Sequence, residues 1–133
     1  MRKLILAGIA GLVLAAASAL PAQASVGLFC HGTYIDIEIP LGGAAGLNPL
    51  SATIRAAGTI WTTEEGVAGA TPIVPAQSAS VDNRLYLDFS DPNLEGIIVE
   101  IRLFWAEEET DPVYGGTLRI AGHGAWAISC GMG

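Results

Sequence analysis

Two cysteines near the ends of an exported chain constrain the fold more than any other feature of this sequence. Segment 1–24 has the three parts of a cleavable export signal in order. Arg2 and Lys3 are followed by the uncharged run Leu4 to Leu20, and Ala22-Gln23-Ala24 supplies the small residues a signal peptidase requires. The run sits at the lower edge of the roughly 17 to 25 residues that cross a bilayer, but it is rich in Ala and Gly and ends at Pro21. Cleavage after Ala24 is the expectation, and Ser25 at the cut offers no cysteine for a lipid anchor. Residues 25–133 then form one domain in an oxidising compartment, periplasmic or extracellular, with no membrane insertion after cleavage.

Cys30 and Cys130 are the only cysteines, and in an exported chain they are most simply one bridge. Closing a loop of 100 positions stabilises against the unfolded chain by on the order of 4 to 5 kcal/mol in the chain-entropy account. The bridge requires the two Cα atoms to lie within about 7 Å of each other, so the first and last strands must be neighbours. A sheet whose terminal strands touch is one that closes. A redox pair is the competing reading, but there is no C-x-x-C and no nearby lysine to lower a thiol pKa.

Along residues 25–133 the apolar period is two. Ile35, Ile37 and Ile39 share a face opposite Tyr34, Asp36 and Glu38 within Thr33 to Ile39. Leu85, Leu87 and Phe89 oppose Arg84, Tyr86 and Asp88. Val99, Ile101, Leu103 and Trp105 oppose Glu100, Arg102 and Phe104 in the longest strand, Ile97 to Ala106. Thr117 to Ile120 and Ala125 to Cys130 follow, the latter with Trp126, Ile128 and Cys130 on one side. Ser51 to Thr62 is a weaker strand in which Gly58 marks a bulge, and Thr71 to Val81 is confined to an edge or loop by Pro72 and Pro75. Pro40 to Leu50 reads as a loop. The pattern predicts an all-β domain, a small antiparallel barrel or sandwich of about seven strands, with its termini joined by one disulfide.

Loss of Arg2 and Lys3 takes the formal charge from −7 to −9, leaving four arginines, no lysine and thirteen acids. Such a surface repels nucleic acid and anionic lipid and attracts a cationic partner, such as a basic protein, or a divalent metal. No cofactor is expected, since no Walker loop or dinucleotide fingerprint occurs. G-x-S-x-G is absent, and neither His31 nor His123 stands at a readable spacing from a serine and a carboxylate. The two histidines also lack a third metal ligand at a recognisable spacing. Asp91-Pro92-Asn93-Leu94-Glu95-Gly96 imitates the start of a calcium loop, with Asp91, Asn93 and Glu95 at alternate positions. The twelfth position is Arg102, where a bidentate glutamate belongs. A polar hairpin turn is the simpler reading.

Two candidate contact surfaces emerge. Glu107, Glu108, Glu109 and Asp111 form the densest charge in the chain and suit a basic protein, or simply a solvated loop. Tyr34, Tyr86 and Phe104 fall on polar strand faces, and Tyr114 follows a turn. If their strands are neighbours, the rings form a platform for a glycan or peptide; cross-strand pairing that only stabilises the sheet is the alternative.

The export signal, the early Leu28-Phe29-Cys30, the small antiparallel barrel and the closing strand Gly124 to Cys130 together resemble the periplasmic inhibitors of C-type lysozyme. That resemblance implies a small acidic barrel with one bridge, and a basic lysozyme as partner. The inhibitory loop of that family uses a Ser-Gly motif and a lysine; neither occurs in residues 25–133, so no inhibitory residue is assigned.

The leading expectation is therefore an exported, non-enzymatic binding or envelope-associated module. Inhibition of a basic lysozyme is one alternative. A small hydrolase using Asp36, Glu38 or Glu100 is another.

Overall fold

The computed structural model describes residues 26–42, 48–109 and 111–133, so segment 1–24, read above as an export signal, lies outside the described residues. The strands are β1 (Val26–Gly32), β2 (Ile35–Gly42), β3 (Asn48–Pro49), β4 (Thr53–Ala56), β5 (Thr59–Thr62), β6 (Thr71–Pro72), β7 (Val74–Val81), β8 (Arg84–Ser90), β9 (Ile97–Ala106), β10 (Val113–Ile120) and β11 (Gly124–Met132). They form one sheet in the order β6-β5-β4-β2-β1-β11-β10-β9-β8-β7, with β3 also beside β2. Every pairing is antiparallel except the two-residue contact of β5 with β6. No helix occurs among the described residues.

The sheet curls into a nearly closed barrel. Its two edge strands, β6 and β7, are separated in the chain by Ile73 alone. The Ile73 N–H donates to the Thr62 carbonyl at 3.0 Å. That bond ties the start of β7 to β5, while β3 approaches β7 from the other side.

Period-two alternation sorts the side chains as the sequence implies. Leu28, Ile37, Ile39, Ile54, Leu87, Phe89, Ile101 and Leu118 are fully enclosed, and Trp105, Tyr114 and Trp126 pack partly buried against them. Among the described residues two polar side chains are buried with this core, and both are bonded. The Thr62 hydroxyl donates to the Ala52 carbonyl at 3.1 Å, and the Ser90 hydroxyl donates to the Asp91 carbonyl at 2.9 Å. Gly116, whose position alternates inward with Leu118, lets β9 and β10 meet. A Cβ there would fall 1.8 Å from the Arg102 carbonyl oxygen, so no other residue fits without moving backbone.

The terminal strands are paired, and the bridge is their seam. Cys30 and Cys130 stand directly opposite each other on β1 and β11, with Cα atoms 4.0 Å apart. Gly27 and Gly133 extend the ladder by exchanging hydrogen bonds of 2.7 and 3.0 Å.

The strand count of about seven is corrected to eleven segments among the described residues. Ser51 to Thr62 is not one bulged strand but the hairpin β4–β5, turned by Ala57 and Gly58. Their φ values of 50° and 72° are the left-handed pair that a two-residue hairpin requires. Thr71 to Val81 divides at Ile73 into β6 and β7. Pro40 to Leu50 is not wholly loop, since β2 runs on to Gly42 and Asn48–Pro49 pairs back on it. Thr33 and Tyr34 form the turn between β1 and β2, so the strand drawn as Thr33 to Ile39 begins at Ile35. Val26–Gly32, interrupted by Gly27 and His31, is a full strand that alternation alone had not marked.

Candidate functional site

The outer wall of β8 and β9 carries a continuous set of interlocked side chains. Cross-strand register sets Arg84 opposite Phe104, Tyr86 opposite Arg102 and Asp88 opposite Glu100. The Arg84 guanidinium lies over the Phe104 ring at 5.2 Å, and that of Arg102 lies over Tyr86 at 5.1 Å. Cation–π contacts of this kind are worth roughly 0.5 to 1 kcal/mol at exposed sites. Arg102 Nη1 also donates to Asp88 Oδ1 at 2.6 Å and to the Ile101 carbonyl at 3.0 Å, while its Nη2 stands 3.8 Å from Glu100 Oε1. Arg119 on β10 donates to Glu100 Oε2 at 2.8 Å. The hydrogen bond to Asp88, above all, holds the Arg102 guanidinium even more firmly protonated than usual.

Beside this set the ladder of β7 slips. Pro75 pairs with Phe89 and Ser78 with Leu87, so Ala76 and Gln77 together oppose the single residue Asp88. Such a bulge bends its strand away from the regular ladder. A groove of about 600 Å³ opens between the bulge and Tyr86, Asp88 and Arg102, a volume within the roughly 300 to 1,000 Å³ of small-molecule sites. The Asp88 side chain at its floor is only 12% exposed and that of Arg102 is 35% exposed. Opposite Tyr86 on β7 is Ala79, which offers the ring only a methyl group.

The structure divides the four candidate aromatics. Tyr86 and Phe104 are diagonal neighbours on β8 and β9, so two of the rings do share a face. Tyr34 is 95% exposed at the β1–β2 turn, far along the sheet from β8. Tyr114 points inward between Trp105 and Cys130, because pairing with those two residues fixes the inward phase of β10. Burial first, and then the negative charge of Glu107, push its phenol above the ordinary range.

Glu107, Glu108, Glu109 and Asp111 are all exposed in the β9–β10 connection. In the β8–β9 turn the Asp91 carboxylate is enclosed by its own loop. Oδ1 accepts the N–H groups of Glu95 and Gly96, each at 2.8 Å, and Oδ2 that of Asn93 at 3.1 Å. These bonds, led by Gly96, hold its pKa below the ordinary carboxylate value. An ion at Asp91, Asn93 and Glu95 would have to displace the backbone donors that shape the turn. No group of three or more metal-ligating side chains forms among the described residues.

The histidines are placed apart by the same sheet. His31 Nδ1 lies 3.4 Å from Asp36 Oδ1, and Asp36 Oδ2 lies 3.4 Å from Arg55 Nη1, in a row across β1, β2 and β4. His123 packs edge-on against Trp61, with ring centroids 5.0 Å apart, and its Nδ1 is 3.1 Å from the Ala121 carbonyl oxygen. Asp36 and Glu38 on β2 are separated from Glu100 on β9 by β1, β11 and β10. Four strand spacings of about 4.8 Å put them roughly 19 Å apart along the wall, beyond the roughly 5 to 9.5 Å of a glycosidase pair. A second groove, about 430 Å³, lies under the β5–β6 connection near Glu64, Val67, Pro72 and Pro92. The Thr62 and Thr63 hydroxyls beside it bond to the chain's own backbone.

Fold and site together define a small antiparallel barrel with a disulfide seam and a polar groove at one edge strand. Comparison with protein-family models, curated proteins and solved structures returns no match.

Proposed function

We propose that the protein is an exported, non-enzymatic binding module that presents the groove beside β7 to its ligand. The observation that carries this reading is the bulge at Ala76 and Gln77. It opens about 600 Å³ over a ring and an ion pair that are already fixed by their own contacts. A recognition surface benefits from side chains held before the ligand arrives, since less freedom is then lost on binding. The disulfide supports export, being the kind of cross-link that persists in oxidising compartments.

The test compares the oxidised domain, residues 25–133, with Ala79→Trp, which fills the groove from an exposed position. Ligand retained from envelope extract by the first and lost by the second is the expected result. Identical retention by both would remove the groove from the function.

A second reading, inhibition of a basic lysozyme, is favoured by one observation: the exposed acids Glu107, Glu108, Glu109 and Asp111 lie close together in one connection. Opposite charge across an interface raises the association rate. Reversing Glu107, Glu108 and Glu109 to lysine is expected to slow association with such a lysozyme. A panel of basic lysozymes left fully active at micromolar excess of the domain would sink this reading.

A further inference from the structure

We infer that the groove beside β7 takes an uncharged oligosaccharide, an inference that rests on the groove being the binding site. The domain as a whole is strongly acidic, yet the two charged side chains facing this groove, Asp88 and Arg102, are bonded to each other at 2.6 Å. Glu100 just beyond is held by Arg119 at 2.8 Å and approached by Arg102. An anion would meet a guanidinium already claimed by two carboxylates. A cation would meet a carboxylate already claimed by a guanidinium. The lining is therefore self-neutralised but rich in directional hydrogen-bonding groups.

Asp88 retains lone pairs that accept from hydroxyl groups, and Arg102 retains N–H groups on Nε and Nη2 that donate to them. Gln77 adds an amide able to do both, on the strand that faces this pair across the bulge. Adjacent hydroxyls of a sugar ring, each donor and acceptor at once, match a carboxylate beside a guanidinium. Tyr86 supplies the apolar counterpart. Arg102 covers its ring from the β9 side, while Ala79, directly opposite the ring on β7, presents only a methyl group. That space suits the C–H face of a pyranose lying against the ring. The groove is an open trough on the outer wall, which favours a segment of a chain over an enclosed monosaccharide.

The experiment titrates the oxidised domain with neutral gluco-, manno-, xylo- and galacto-oligosaccharides of four to six residues, with an oligouronate as the anionic control. The expected result is binding of at least one neutral series, with an affinity that changes less than about twofold between low and high salt, as an uncharged ligand requires. Tyr86→Ala should weaken it about tenfold, equivalent to about 1.4 kcal/mol, and Ala79→Leu should abolish it. Both variants are checked for an unchanged fold by circular dichroism and thermal melting. Ala79→Leu keeps the test decisive if Tyr86→Ala loosens Arg102. Preference for the oligouronate, or saccharide binding indifferent to Ala79→Leu, overturns the inference. If no saccharide binds but a peptide or protein is retained by the native groove and lost from the filled one, the saccharide inference falls and the binding-module reading stands. If filling the groove alters nothing that the domain binds, both fall.

Discussion

The barrel is shut on two sides in different ways. At the β1–β11 seam a ladder from Leu28 to His31, the mutual bonds of Gly27 and Gly133, and the Cys30–Cys130 bridge join two full strands. On the far side, β5 and β6 share only the pairs Trp61–Thr71 and Thr62–Pro72, and Ile73 carries the chain straight on into β7. One closure holds together residues remote in sequence; the other is made by residues that adjoin in the chain. The contrast teaches where order is imposed and where it is local. The groove, with its irregular register, lies on β7, just past the locally closed side.

The largest expected effect tests the seam. Replacing Cys30 and Cys130 with alanine should lower stability to urea by on the order of 4 to 5 kcal/mol, the chain-entropy value for so long a loop. A loss below about 1 kcal/mol would show that the ladder alone is sufficient. Next comes the other side. Ile73 is 1% exposed, and Ile73→Ala should cost about 2 to 4 kcal/mol in a thermal or urea melt. If it costs little, the far side is not a real closure and the comparison collapses.

Thr62→Val asks a finer question. The Thr62 hydroxyl donates to the Ala52 carbonyl, accepts from the Glu64 N–H and lies 3.2 Å from the Thr53 hydroxyl. Losing it should cost about 0.5 to 1.5 kcal/mol, the net value of a hydrogen bond, since the Ala52 carbonyl keeps the Thr63 N–H. A neutral result would assign the far side to apolar packing alone.

The smallest effect is a pH dependence at the β8–β9 turn. The Asp91 carboxylate titrates below its ordinary value of 3.8 in the folded state, so on acidification the unfolded chain takes up this proton first. Its contribution is fully present above the unfolded pKa and is lost as pH falls through the folded value. Asp91→Asn should remove that part of the acid sensitivity of unfolding. An unchanged pH profile would mean that the turn holds without the charge.

Much of the fold was legible because the signal came from burial. Ile35, Ile37 and Ile39, then Leu85, Leu87 and Phe89, then Val99, Ile101 and Leu103 declare their inward face by alternation, and the cysteines declare the pairing of the ends. The β4–β5 hairpin was not legible, since Ala57-Gly58 lacks the Asn-Gly or Asp-Gly that normally announces a two-residue turn. Tyr114 was misplaced because a residue near a turn can take either phase, and only pairing with Trp105 and Cys130 turns it inward. The groove could not be seen at all. Asp88 and Arg102 meet only through the hairpin register, and the bulge at Ala76 and Gln77 exists only relative to β8. The alanines, serines and single glutamine of Ala76 to Ser80 carry no pattern from which a slipped ladder can be read.

The cross-strand bridge also decides how the domain answers a pull. Tension applied between Val26 and Gly133 enters β1 and β11 side by side and meets the Cys30–Cys130 bond after only a short length of chain on either strand. The sulfurs then carry the load as a shunt, and everything from His31 to Ser129, the groove included, lies outside the line of force. Held by its ends, the oxidised barrel keeps its groove undeformed; with the bond reduced, the same pull would unzip β1 from β11 first.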